Sequence, residues 1–590
     1  MCGIAGLMSV DGTPPSVEIL RAMADAIAHR GPDGRGEYNV ADVALLQNRL
    51  AIIDLETGDQ PLFAAKDGDT SELALVANGE IYNYIELRED MSKVVFKTNS
   101  DCEPMLYLYR SHGIDFAEHL RGMYAVAIHD VDDGALVLSR DPFGIKPLYY
   151  GLAADGFVFA SEPQALLRAK LVKPEVDASK RDELLALQFT TRAETIFPGI
   201  YRVLPGETIV VREGRIAERA LLSALPPGRP AKVSADDVLK AFDKIIMDAV
   251  DVHQRSDVPY GMFLSGGIDS SVILKVMSRL NQSPVHALTA GFSGSNVHDE
   301  RAHAKVVAKA CGADHEDITL NEDDFWRELP AITAAMDDPC ADYAVVPTYM
   351  LARKAHEAGL KVVLSGEGGD ELFAGYGRYR RQCRPALFGG RRMRHAAILD
   401  GTGVLREDPR GWRDGIAAAE REARDYGHNS LQIAQAVDFA DWLPNDLLTK
   451  LDRCLMAHGV EGRVPFLDPF VADFAFKLPN RLKVRGRTGK WLLRKWLETA
   501  LPESLPFTPK RGFTVPVGHW ISGQGSKLGT LVAQQAGVIE VCDPDAVQRL
   551  FNAGDTKGHA QWTLLFYALW HQHYIIGSDA AGDVFDVLSA

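Results

Sequence analysis

The rhythm of apolar and polar positions changes partway along this chain of 590 residues. Up to about residue 160 the apolar positions come in short runs broken by turn residues. MYAVAIHD at 123–130 and ALVLSR at 135–140 flank Asp132-Asp133-Gly134, a pattern that predicts an antiparallel hairpin. Residues 147–151 and 157–161 predict a second pair, joined across Ala153-Ala154-Asp155-Gly156, and 16–29 carry helical spacing. From about residue 236 strands and helices alternate instead. Strands are predicted at 258–264, 285–292 and 361–365, with helices at 270–280, 300–311 and 345–358. That alternation predicts a parallel sheet covered by helices on both faces. The last 150 residues or so read as mostly helical.

The proline-rich stretch 225–230 between the two regimes suits a linker. The length points to two large domains rather than one core. We divide the chain into a first domain at 1–215, a linker at 216–235 and a second domain at 236–590. A net charge of −16 argues against a protein that grips nucleic acid. No apolar run approaches a membrane span, and the N-terminus lacks the basic region of a secretory signal. Seven scattered cysteines with no CxxC pair predict reduced thiols and a cytoplasmic location.

Cys2 follows the initiator methionine directly. Removal of Met1 leaves a thiol and an α-amine on one residue. About a tenth of such amines are unprotonated at pH 7, so the amine can serve its own thiol as general base. Alone, Cys2 reads more readily as merely a small residue. Downstream, however, come His29-Arg30-Gly31-Pro32-Asp33, Asn48-Arg49-Leu50-Ala51-Ile52-Ile53-Asp54, Asn78-Gly79-Glu80-Ile81-Tyr82-Asn83 and Ser100-Asp101-Cys102-Glu103. With MCGI these motifs, in this order, resemble the class II glutamine amidotransferase domain. The resemblance implies an α+β N-terminal-nucleophile hydrolase sandwich with Cys2 as nucleophile on the glutamine amide. Asn78 and Gly79 would stabilise the oxyanion. Arg49, with Leu50, Ala51, Ile52 and Ile53 around it, would hold the α-carboxylate, and Asp101 and Glu80 the α-ammonium. The plain alternatives are an Arg49–Asp101 salt bridge and a simple Asn78-Gly79 turn. His29 reads as a brace of the fold.

After the strand ending at Leu264 the chain continues Ser265-Gly266-Gly267-Ile268-Asp269-Ser270-Ser271 into a helix. Glycines turn backbone N–H groups toward phosphate, serines add donors, and a helix N-terminus favours anions. There is no GxxxxGK[ST] in the sequence. SGGxDS resembles the PP-loop of ATP pyrophosphatases, which cleave ATP between its α and β phosphates. A second loop reads Ser365-Gly366-Glu367-Gly368-Gly369-Asp370-Glu371. SGEGGDELFAGY, EGRVPFLD at 461–468 and Thr488-Gly489-Lys490 resemble the asparagine synthetase family. That resemblance implies an α/β PP-loop (adenine nucleotide α-hydrolase-like) domain with a helical C-terminal part. It assigns nucleotide contacts to Leu264, Ser265, Gly266, Gly267, Asp269, Ser270, Ala290, Ser365 and Gly366. Glu367 would be needed to form the acyl-adenylate, and Lys490 would offset charge in adenylation. Asp269 and Asp370 are hard oxygen ligands expected to hold Mg²⁺ with ATP. His571-Gln572-His573 lies in a helical stretch, where i and i+2 diverge, so it reads as structural.

Together the halves imply a glutamine-hydrolysing asparagine synthetase activity. ATP, aspartate, glutamine and water would give asparagine, glutamate, AMP and diphosphate through a β-aspartyl-AMP intermediate. The expected partners are these small molecules, with neither nucleic acid nor membrane, and the resemblance suggests a homodimer. Three other readings remain open: a related ligase with a different carboxylate acceptor, a protein with the glutaminase activity alone, and a silent scaffold. The 337–342 segment, Asp337-Asp338-Pro339-Cys340-Ala341-Asp342, is expected near the acceptor.

Overall fold

The computed structural model describes residues 2–65, 72–154, 156–230, 234–293, 299–384, 386–508 and 515–590. Met1 and Asp155, which belong to the N-terminal and second-hairpin readings, lie outside them. The first half is two six-stranded sheets. One runs in the order Ile200–Arg202, Tyr149–Ala153, Gly156–Ala160, Gly3–Ser9, Val43–Arg49, Gly34–Val40. The other runs Arg215–Leu221, Glu207–Arg212, Ala135–Arg140, Gly122–Asp130, Glu72–Ile81, Leu62–Ala65. Ile4, Leu45, Val76, Ala127, Leu138 and Phe159 bury one face of each sheet against the other. The first predicted hairpin pairs Asp130 with Ala135, and the second pairs Ala153 with Gly156. Helix Val17–Ala26 is capped by Ser16, whose side chain accepts from the Ile19 N–H. Helix Pro104–His112 covers the outer face of the second sheet. The result is the α+β sandwich expected of an N-terminal-nucleophile hydrolase.

Strand Arg215–Leu221 runs into the 216–235 stretch read as linker. It is an edge strand, mostly exposed, and its sequence RIAERAL gives little apolar alternation to read.

The second half carries a five-stranded, all-parallel sheet: Asp314–Leu320, His286–Phe292, Tyr260–Phe263, Val362–Leu364, Glu461–Arg463. The three inner strands are the ones the alternation predicts. The two outer ones were missed, because DHEDITL is largely polar and EGR is three residues of a motif. Beyond residue 465 every element described is helical. One apolar core runs through both halves, from Ala5, Leu46 and Ile52 to Ile273, Leu455 and Trp562. Among the described residues no helix is long and apolar enough to cross a membrane.

Candidate functional site

In the first half, strand Glu72–Ile81 brings Asn78 beside the start of strand Gly3–Ser9. The Cys2 N–H donates to Asn78 Oδ1 at 3.0 Å, and Asn78 Nδ2 is buried with no partner among the described residues. Cys2 is nearly buried, and burial pushes its thiol pKa up. The backbone N–H of Leu50 partly offsets this, and Glu80 adds to it.

Arg49 does not pair with Asp101. Its guanidinium donates to Asp59 Oδ1 at 2.7 Å and to the Ile53 and Asp54 carbonyls. The segment that follows is held from both halves of the chain. Ala51 N–H donates to Asp33 Oδ2 (2.8 Å), which also pairs with Lys361 Nζ (2.7 Å), and the Ile52 carbonyl accepts from Asp257 N–H (3.0 Å). Leu50 and Ile52 are buried; Ala51 and Ile53 are partly exposed. Asp101 Oδ2 accepts from Ile81 N–H at 2.7 Å. Burial lifts its pKa to about 6 against that hydrogen bond, and Glu461 lifts it further. Glu80 is pushed well up by burial and then by Glu461 and Asp101, with Arg463 Nη2 at 3.3 Å from its Oε2. Arg463 and Glu461 belong to the EGRVPFLD motif, so that motif reaches the amidotransferase side. Its spelling gave no sign of this.

In the second half, Leu264 closes strand Tyr260–Phe263 with N–H to Leu288 O (2.8 Å). The chain then turns through Gly266, at φ +70°, a conformation that favours glycine. Ser265 Oγ accepts from Gly267 N–H (3.2 Å), and Gly267 caps helix Ile268–Leu280. Strand Val362–Leu364 delivers the second loop, with Ser365 N–H bonded to Arg463 O at 2.8 Å. Lys490 sits at φ +54° ahead of helix Trp491–Ala500, its N–H on Phe373 O (3.0 Å). Its Nζ is bracketed by Asp269 Oδ2 and by Asp370 Oδ1, the latter at 2.6 Å. Those carboxylates hold the buried ammonium protonated, raising its pKa despite desolvation. Glu367 Oε1 lies 3.9 Å from Lys450 Nζ, and burial raises its pKa. A cavity of about 700 Å³ is lined by both loops and Lys490. Every residue read from the sequence as a nucleotide contact, Ala290 included, lines it.

Sequence reasoning missed the charged ladder between the two centres. Arg30, fully buried, donates from Nε to Cys2 O (3.2 Å) and from Nη1 to Glu162 Oε1 (2.6 Å) and Asp452 Oδ2 (2.7 Å). His29 braces the same Glu162, at 3.2 Å. On the helical run holding Asp452, Arg453 pairs with Asp337 (2.7 Å) and Lys450 with Asp342 (3.0 Å). Asp338 accepts from Arg202 and Tyr149. The 337–342 segment thus reaches the cavity through Asp342 while its other carboxylates face the first half. His573 Nδ1 lies 3.2 Å from Ser578 O, and His571 packs on Tyr567.

Asp269 and Asp370 both converge on Lys490 Nζ, and among the described residues no group of three or more His, Cys, Asp or Glu side chains is placed to hold a metal ion. Mg²⁺ sites that use ATP take one or two carboxylates plus substrate phosphates, so these two carboxylates fit such an ion only with the phosphates completing its shell.

Comparison with known proteins adds the following. Residues 241–572 match the family described as Asparagine synthase, and residues 1–221 match the Glutamine amidotransferase domain. The chain is 33% identical to "Asparagine synthetase [glutamine-hydrolyzing] 1" of Bacillus subtilis, covering 97% of this chain and 96% of that one. A Mycobacterium bovis protein, "Putative asparagine synthetase [glutamine-hydrolyzing]", is also 33% identical, covering 98% and 97%. "Amidase chyE" of Penicillium rubens is 26% identical over 95% of this chain and 96% of its own.

Proposed function

The chain belongs to the glutamine-hydrolysing asparagine synthetase family, and from that premise we propose how its two centres divide the reaction. A carboxylate is a poor electrophile and ammonium a poor nucleophile. Amide formation at neutral pH therefore needs an activated acid and unprotonated ammonia. The first half, ending at about 215–221, releases the ammonia, the linker follows to 235, and the remainder activates the acid.

In the first half Cys2, freed of Met1, attacks the side-chain amide of glutamine while its α-amine takes the thiol proton. Asn78 Nδ2 and the Gly79 N–H receive the oxyanion; the unpartnered Nδ2 supports this role. Arg49 holds the substrate α-carboxylate by exchanging Asp59, which is largely exposed and easily displaced. Asp101 and Glu80 face the α-ammonium. Ammonia leaves, and water then hydrolyses the thioester to glutamate.

In the second half the glycine loops cradle ATP. The β-carboxylate of aspartate attacks the α-phosphorus, an O–P bond forms, and diphosphate departs with its electron pair. Lys490 places positive charge where the phosphates develop negative charge. Asp269 and Asp370 would hold Mg²⁺, which supplies further charge neutralisation to the phosphates when bound. Glu367, steadied by Lys450, supports formation of the acyl-adenylate. Ammonia adds to the acyl carbon, a proton is lost, and AMP leaves. We place the enzyme in the cytoplasm, acting on small molecules as a homodimer, with no role for nucleic acid or membrane.

The observation that carries this reading is the single cavity shared by SGGIDSS, SGEGGDE and Lys490. A second reading keeps both halves and changes the acceptor; the full-length likeness to a protein described as an amidase supports it. An acceptor screen decides between them. With glutamine, Mg²⁺ and ATP, aspartate should release diphosphate and AMP and yield asparagine, ahead of other carboxylic acids. No AMP with any amino acid would sink the first reading, and none with any carboxylic acid in the screen would sink the second as well.

A further inference from the structure

The nucleotide cavity has a second set of lining groups that the phosphate chemistry does not use: Arg378, Arg394, Trp442 and Asp446. Arg378 is already engaged. Its Nε donates to Asp438 Oδ2 at 2.9 Å, and its guanidinium lies 4.0 Å from the ring centres of both Tyr376 and Trp442. Arg394 is held differently. It rests over Phe189 (4.9 Å) and Trp442 (5.2 Å), its Nη2 is 3.9 Å from Asp438 Oδ1, and its buried Nε has no hydrogen-bond partner among the described residues. Asp446 is 3% exposed. Its Oδ2 accepts from Trp442 Nε1 at 2.6 Å, while its buried Oδ1 has no partner among the described residues.

Buried polar atoms are costly to leave unpaired, so orphans lining a cavity point to a ligand that pairs them. Here one orphan is a guanidinium donor and the other a carboxyl oxygen. Trp442 touches both side chains. Burial and then Asp342 push the Asp446 carboxyl up to about 8, with Lys450 and Arg394 pulling against them, so a ligand cation beside it would favour its ionised form. With Arg378 offset by Asp438, the remaining pair is complementary to a zwitterion, a carboxylate and an ammonium on neighbouring atoms.

Resting on the activity proposed above, we propose that Arg394 and Asp446 form the clamp for the acceptor's amino-acid end. Arg394 takes the α-carboxylate of aspartate and Asp446 its α-ammonium. The β-carboxylate is then the only carboxylate left to meet the nucleotide. The clamp therefore specifies an α-amino acid with a side-chain carboxylate and selects which of its two carboxylates reacts.

Two truncated acceptors separate the groups. 3-Aminopropanoate lacks the α-carboxylate of aspartate, and butanedioate lacks its ammonium. Diphosphate release is measured at saturating ATP and Mg²⁺ for the wild type, Arg394→Leu and Asp446→Asn. Each substitution should raise KM for aspartate about 10- to 100-fold. Arg394→Leu should leave KM for 3-aminopropanoate unchanged, Asp446→Asn that for butanedioate, and Arg394→Lys should recover part of the loss. Unaltered glutaminase activity and KM for ATP certify folding. Equal losses on full and truncated acceptors, or no loss on aspartate, overturn the clamp. A wild type that releases no diphosphate with aspartate overturns the activity reading instead. The clamp is then judged by calorimetric aspartate binding, which Arg394→Leu must abolish; unchanged binding, or none to the wild type, overturns it too.

Discussion

Burial holds the Cys2 thiol above the usual range, so its surroundings alone make it a poor nucleophile. It needs a base within reach, the part that the proposed mechanism gives to the α-amine on the same residue. Cys2→Ala should therefore abolish glutamine-dependent synthesis while synthesis from added ammonium continues. Assaying asparagine with each nitrogen source checks this, and loss of both activities would contradict the separation of centres. Asp101 gives the same centre a pH limit. Its pKa, lifted to about 6 by burial, means that the carboxylate proposed above to meet the substrate ammonium is charged above that pH and neutral below it. KM for glutamine should stay flat from pH 7 to 8 and climb as pH falls through 6. In Asp101→Asn it should be high throughout, with no inflection near 6.

Elements explain why some of this was legible and some was not. The three inner parallel strands and the helices Ile268–Leu280, Arg301–Cys311 and Val345–Glu357 announced themselves, because buried strands are apolar runs and these helices have helical spacing. The loops at the strand ends were equally plain, since glycine is required where backbone must turn or pack closely. Gly375 is a case in point. A Cβ there would lie 1.6 Å from Asp370 Oδ1 and 2.4 Å from Lys490 Cε, so its absence lets those groups meet. Gly375→Ala should cut diphosphate release by at least 100-fold, the scale of losing one transition-state donor, and leave glutaminase activity intact. Comparing the two rates in one preparation tests it. The helical run from Ser430 to Met456 was legible only as part of a mostly helical C-terminal stretch, and its course was not. Pro444 sits within it, which ordinarily ends a helix, yet the chain passes through wider π-type turns over Asp438–Leu448 and continues. Those turns place Trp442, Asp446 and Lys450 on the cavity and lead on to Asp452 and Arg453, which face the first half. No local pattern encodes such a two-sided role, because the partners are hundreds of residues away.

At the scale of the molecule, the two halves are fastened by ion pairs that water does not reach. Arg202, 2% exposed, donates to both oxygens of Asp338 at 2.7 and 2.8 Å, and Tyr149 donates to the same carboxylate. Removing one partner of a buried pair strands the other charge, whereas replacing both with apolar groups can be nearly neutral. Asp338→Ala should thus destabilise the protein by about 3–5 kcal/mol in denaturant titrations, with Arg202→Met/Asp338→Leu recovering most of it. The same substitution bears on nitrogen transfer. In the mechanism proposed, ammonia freed at Cys2 must reach the acyl carbon before water protonates it, so buried ion pairs that fasten the two halves would bear on the transfer by excluding water. In the wild type, glutamate and asparagine should accumulate in equal amounts. In Asp338→Ala, assayed well below its melting temperature, glutamate should outrun asparagine while added ammonium still supports synthesis. A ratio that stays at one would show that the Arg202–Asp338 pair contributes stability and nothing to the transfer.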